Sequence, residues 1–124
     1  MTAQDKKIIE IARKAYQNEG EVLSPSIVWH VPGKNPVSGD YKGTKAYLEG
    51  MVAKMTPIDE WVVDVENVMA NGPLAVVAVR VKGLRKGHRV DLEGAHVLRI
   101  ENDKVVEGWG FYENQEILDT FFSA

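Results

Sequence analysis

The chain has 124 residues, 44% hydrophobic and 27% charged, with a formal net charge of −3, a globular composition long enough to bury a core without staples. The acidic balance argues against nucleic acid as a partner, the lack of cysteine excludes disulfides and thiolate metal sites or nucleophiles, and no apolar run reaches the roughly 20 residues that span a bilayer. The expectation is therefore one domain over residues 1–124, with neither nucleic acid nor a membrane as partner. The charged, amphipathic N-terminus lacks the continuous apolar stretch of a secretory signal and points to the cytoplasm.

Ile8, Ile11, Ala12, Ala15 and Tyr16 recur at helical spacing and predict a helix over roughly 3–18, with Thr2 and Asp5 placed as a capping box and Gly20 closing it. "SIVWHV", residues 26–31, is β-branched and aromatic and predicts a strand; it runs into "PGKNPVSGDYKG", residues 32–43, read as a long loop. Thr44 is placed to cap a second helix whose stripe is Tyr47, Leu48, Met51, Val52 and Met55, stopped by Pro57. Four β-rich runs follow from Glu60 to Tyr112, separated by the turn-like "NGP", "GLRKG" and "END". Asn114 then caps a last helix with Ile117, Leu118, Phe121 and Phe122 on one side.

This order predicts an α+β layer, with helices on one side of a curved, meandering antiparallel sheet and a cavity at its open end. The basic segment 80–89, containing Arg80, Lys82, Arg85, Lys86, His88 and Arg89, is expected to be a solvated hairpin tip. The three histidines, at 30, 88 and 96, show no metal-binding spacing, so neither a metal nor a cofactor is expected. His30 is the conspicuous one, an ionisable ring at the end of an apolar strand. His96, among apolar neighbours, is expected to be buried or at a subunit contact.

The stretches "VWHVPGKNPVSGDYKG" and "AHVLRIENDKVVEGWGFYENQEILDTFF" resemble the SnoaL-like branch of the nuclear transport factor 2-like superfamily, which includes ketosteroid isomerase and polyketide cyclases. The resemblance implies a cone-shaped fold, a curved antiparallel sheet wrapped around about three helices with an internal pocket, usually as a homodimer. It puts His30 where the isomerase has its carboxylate base, and Ala95 where the isomerase has a protonated aspartate. It turns Glu93, Ala95, Gly108, Gly110 and Tyr112 toward the cavity.

The catalytic candidates are thus His30 as acid/base with Glu93 and Tyr112 as partner or hydrogen-bond donor. Val28, Tyr47, Met51, Ala95, Gly108 and Gly110 would line the binding site. The expected function is a pocket for an apolar, carbonyl-bearing small molecule, used either for cofactor-independent isomerase- or cyclase-type proton transfer or for binding without chemistry. A third alternative makes the sheet chiefly a dimerisation surface. The glycines Gly94, Gly108 and Gly110 either leave room for a ligand or bend the sheet.

Overall fold

In a computed structural model, which describes residues 1–17 and 20–124, the chain forms α1 (Ala3–Ala15), a 3-10 turn (Gly20–Val22), β1 (Leu23–Val31) and β2 (Gly39–Lys42). A π-helical turn (Ala46–Gly50) leads into α2 (Met51–Met55), followed by β3 (Glu60–Asn71), β4 (Leu74–Arg85), β5 (His88–Glu101), β6 (Lys104–Tyr112) and α3 (Gln115–Ser123). Thr2 and Asp5 close the expected capping box on α1, and Asn114 accepts from the Ile117 N–H at the start of α3. The helix expected to run to about residue 18 ends earlier, at Ala15, where the Tyr16 N–H caps it by donating to the Arg13 carbonyl; residue 18 itself lies outside the described residues.

The six strands form one sheet in the order β2-β1-β6-β5-β4-β3. Two-residue turns join β4 to β5 at Lys86 and Gly87 (φ 50° and 79°) and β5 to β6 at Asn102 and Asp103 (φ 51° and 61°), the positive-φ pair that a tight hairpin with twisted strands requires. The sheet is not antiparallel throughout, because β1 lies parallel to β6, with Val28 opposite Glu107 and His30 opposite Trp109. Part of the expected long loop is also strand: β2 pairs antiparallel with β1, Trp29 opposite Tyr41 and His30 opposite Asp40. At four residues β2 is too short to show an alternating pattern.

Two local expectations fail for identifiable reasons. The Thr44 hydroxyl caps no helix and donates instead to the Ser24 carbonyl (3.1 Å). The π turn widens the helix there, so Tyr47, Met51 and Met55 turn inward while Leu48 and Val52 stay about half exposed.

Alternation sorts the sheet into two faces. On β4 the inner residues Ala75, Val77, Val79 and Val81 are fully buried; on β5 they are the even positions, Val90, Leu92, His96, Leu98 and Ile100. Helix α1 lays Ile8, Ile11 and Ala12 on this face, and α3 lays Leu118, Phe121 and Phe122 against Val90 and Leu92. Each large side chain so buried contributes about 1.5–3 kcal/mol. Arg85, expected in a solvated tip, is 6% exposed. Its guanidinium donates to the carbonyls of Met55 (3.1 Å), Phe121 (3.2 Å) and Ala124 (2.8 Å), tying α2 and α3 to the hairpin.

Candidate functional site

The inner face of β1, β5 and β6 gathers an aromatic cluster with a polar centre. Trp29 meets Tyr47 at 5.1 Å between centroids and His96 edge-on at 5.2 Å. The Tyr16 hydroxyl lies 2.7 Å from Nδ1 of His96, and the Tyr112 hydroxyl lies 3.0 Å from its Nε2. Burial pushes His96 down to about 4 and Tyr47 and Tyr112 up to about 12, and it raises Tyr16 as well. At neutral pH this is therefore a line of three uncharged groups, tyrosine, imidazole and tyrosine.

The strand glycines are explained by these rings. A Cβ on Gly108 would collide with the six-membered ring of Trp29, and one on Gly94 would come within 2.6 Å of the Tyr112 ring. A Cβ on Gly110 would sit 3.1 Å from the Tyr112 hydroxyl. The space cleared by three missing side chains is filled by the protein's own aromatic residues.

Tyr112 also borders a void of about 40 Å³ shared by Val31, Met55, Trp61, Gln115 and Phe122, room for about one water. Its rim is latched: the Asp119 carboxylate on α3 accepts from the Lys34 N–H (3.0 Å), the Asn35 amide (2.7 Å) and the Gln115 amide (3.1 Å). Burial would raise this carboxyl, but the bonds from Asn35, Gln115 and Lys34 prevail and hold it below the usual carboxylate range. A larger groove of about 460 Å³ runs past His88, Arg89, Ile117 and Phe121, but it is an open surface trough outside the cone.

The sequence-predicted site residues divide between the two faces. Tyr112, Tyr47, Met51, Gly108 and Gly110 belong to the inner cluster or its wall. Val28, His30, Glu93 and Ala95 face the other way. The alternation of β1 puts Ile27 and Trp29 inside, because the indole has far more apolar area to remove from water than the imidazole.

On the outer face His30 meets Asp40 Oδ1 through Nδ1 (2.7 Å) and Glu107 Oε2 through Nε2 (2.6 Å), and stacks on Trp109 at 5.4 Å. The hydrogen bonds to Asp40 and Glu107 raise its pKa against the opposing pull of burial. Glu93 accepts from Arg80 (2.5 Å), and Ala95 lies opposite Phe111. Among the described residues no group of three or more side chains is arranged to hold a metal ion, and the two carboxylates beside His30 sit at opposite ends of its ring.

Sequence reasoning missed the Tyr16–His96–Tyr112 line. The available signal was polar groups on apolar faces: His96 on the apolar side of its strand, and Tyr16 on the apolar stripe of α1. The partners of His30, Asp40 and Glu107, could not be found without the pairing of β1 with both β2 and β6.

Comparison with known proteins bears on the whole arrangement. Residues 11–108 match the SnoaL-like domain family. A protein of unknown function with a cystatin-like fold from Xanthomonas campestris is 26% identical, covering 94% of this chain and 98% of its own, with a TM-score of 0.84. A chain assigned to the SnoaL-like polyketide cyclases from Jannaschia sp. CCS1 is 17% identical over 100% of this chain and 96% of its own, TM-score 0.78. A protein with a ketosteroid isomerase-like fold from Catenulispora acidiphila, solved with trimethylamine, is 12% identical over 94% of this chain and 93% of its own, TM-score 0.71. No curated relative matches the sequence.

Proposed function

We propose, from the premise that this chain belongs to the SnoaL-like family, that it takes a small, mostly apolar molecule into the open end of the cone, where the Tyr112 hydroxyl hydrogen-bonds a polar atom of the ligand. The observation that carries this reading is the uncharged Tyr16–His96–Tyr112 line, buried in an apolar interior and ending at Tyr112, one of the residues that line the void. Buried polar groups cost stability unless fully paired, so a line of three in so small a core marks a place kept for use. Ligand pockets are commonly about 300–1,000 Å³. Occupancy therefore requires the walls at Met55, Gln115 and α3 to move outward, and the latch at Asp119 is where that motion would start.

Proton-transfer chemistry of the isomerase or cyclase kind is the second reading. It is favoured by one observation: His96 is neutral and bonded to a hydroxyl at each nitrogen, the state in which an imidazole passes a proton between two oxygens. In that reading His96, rather than His30, is the acid/base group, because both nitrogens of His30 are held by carboxylates.

The test is titration of the protein with 8-anilinonaphthalene-1-sulfonate followed by competition with small cyclic ketones. We expect Tyr112→Phe to weaken ketone binding about tenfold, the worth of one buried hydrogen bond, and His30→Ala to leave it unchanged. The reverse pattern would move the site to the outer face.

The partner in this reading is a second copy of the chain. Met69, Val76, Val97 and Trp109 form one row across four strands of the outer face, with Ala78, Ala95 and Phe111 beside it, and Phe111 and Met69 are at least half exposed. A self-complementary apolar patch of this kind suits a twofold dimer. Sedimentation of Phe111→Lys should then give a smaller species than the parent chain.

A further inference from the structure

We propose that residues 32–38, between β1 and β2, form a flap that moves as one stiff piece, that the Asp119 carboxylate holds it shut, and that a small molecule reaches the void beneath by parting the two. The inference rests on the binding reading above and names the door to that site. The void lies along a seam: the segment between the strands supplies Pro32, Asn35 and Val37 to its wall, and α3 supplies Gln115, Leu118 and Phe122. Outward movement of the walls accommodates a ligand once it is inside. Entry depends on which side of the seam yields first.

The flap is braced within itself. The Val37 N–H donates to the side-chain oxygen of Asn35 (2.8 Å), the Asn35 N–H donates to the Ser38 hydroxyl (3.1 Å), and that hydroxyl donates in turn to the Pro32 carbonyl (2.9 Å). The Ser38 N–H donates back to the Asn35 carbonyl (3.0 Å), and Pro32 and Pro36 each fix a φ angle. These bonds close inside the segment, so a motion of the whole leaves them intact. At its far end the flap enters β2 through Gly39, whose φ of 134° and open surroundings suit a swivel.

Its ties to the rest of the molecule are few. The Tyr41 hydroxyl, on the strand the flap continues into, donates to the Val37 carbonyl (2.5 Å); among the described residues the other polar ties of its side chains and loop backbone go to α3. Asp119 Oδ1 accepts from the Lys34 N–H (3.0 Å) and the Asn35 amide (2.7 Å), and the Gln115 amide reaches the Pro32 carbonyl only at 3.5 Å. Gly33 makes this seat possible, because a Cβ there would collide with the side chains of Asp119 and Gln115. The flap buries one side chain, Val37, whereas α3 buries Leu118, Phe121 and Phe122 and has its Phe121 and Ala124 carbonyls held by Arg85. With far less apolar area to expose, the flap gives way before the helix.

The test reads the motion and its use separately. Amide hydrogen exchange, followed by NMR in the unliganded protein, should show the Lys34 N–H, which is bonded to Asp119, protected at least about tenfold less than the Val37 and Ser38 N–H groups inside the flap and than the amides of Leu118 to Phe122 in α3. In Asp119→Ala, a substitution that suits a helix, the Val37, Ser38 and α3 amides should keep their protection within about twofold. Stopped-flow mixing with 8-anilinonaphthalene-1-sulfonate should then show association and dissociation both about tenfold faster in the variant than in the parent chain, with Kd within about twofold, because the latch closes the protein with and without the probe. Val37 and Ser38 exchanging together with Lys34 would mean a segment that melts, and α3 amides opening with Lys34 would make the helix the moving wall; either overturns the proposal. Unchanged rates with the probe bound overturn the flap alone, whereas no binding of the probe to the parent chain overturns its role as an entry together with the binding reading.

Discussion

His30 and His96 stand two strands apart in the same sheet, on opposite faces, and the fold gives them opposite chemistry. His96 is enclosed by rings and hydroxyl groups that neither add nor remove charge, so burial dominates and the imidazole stays neutral. His30 is half-buried between Asp40 and Glu107, with Arg99 reaching Glu107 at 3.8 Å, and its carboxylate partners favour the charged ring. The difference teaches that which face a strand residue takes, rather than its position along the strand, decides whether it can serve as a neutral relay or as one charge in a surface network.

The largest expected effect follows from the neutral ring. The folded pKa of His96 is about 4 against an ordinary 6.5, so between these pH values the unfolded chain binds a proton that the native protein refuses. Stability therefore falls as pH drops through this window, by about 3 kcal/mol for the shift cited. Urea unfolding at stepped pH should show that loss, and His96→Gln should flatten it. The raised pKa of His30 works the other way: its pairing stabilises fully below 6.5 and fades as pH rises through the folded value. Removing His30 should consequently leave the slope between pH 4 and 6.5 as it is and abolish the gain in stability as pH falls toward 6.5 from above, and an unchanged profile in both variants would erase the contrast between the two histidines.

A middle-sized effect sharpens the inner side. Gly108→Ala sets a methyl group against the Trp29 ring, and because the indole is wedged between Tyr47 and His96 we expect about 2–3 kcal/mol of destabilisation. Equilibrium unfolding measures it, together with a shift in Trp fluorescence. The same substitution at Gly87, where a Cβ would meet open space but φ is 79°, should cost only the backbone strain of about 1 kcal/mol.

The smallest effect belongs to the outer face. His30→Ala removes two ion-paired hydrogen bonds from a partly exposed site, and the expected loss at neutral pH is about 1 kcal/mol or less, with ketone binding unaltered. A loss of binding comparable with that of Tyr112→Phe would break the comparison.

Much of the scaffold was legible in the residues. The capping box of α1, the Asn114 cap and the hairpin turns at Lys86–Gly87 and Asn102–Asp103 are local devices, so a few adjacent residues suffice to specify them. The even positions of β5 announced its buried face. The site was less legible. Matching His30 and Ala95 to a related fold placed them in the cavity, whereas the alternation around Trp29 and His96 turns both outward.

What the sequence determined by itself is the periodicity: where helices and strands run, which residues share a face, and where turns must fall. Which face becomes the interior, that β1 lies parallel to β6, and that Tyr16 meets His96 across 80 positions of chain were decided only in the tertiary structure. The physical reason is that faces are chosen by the total apolar area several strands can bury together, a sum over the whole sheet that no single strand contains.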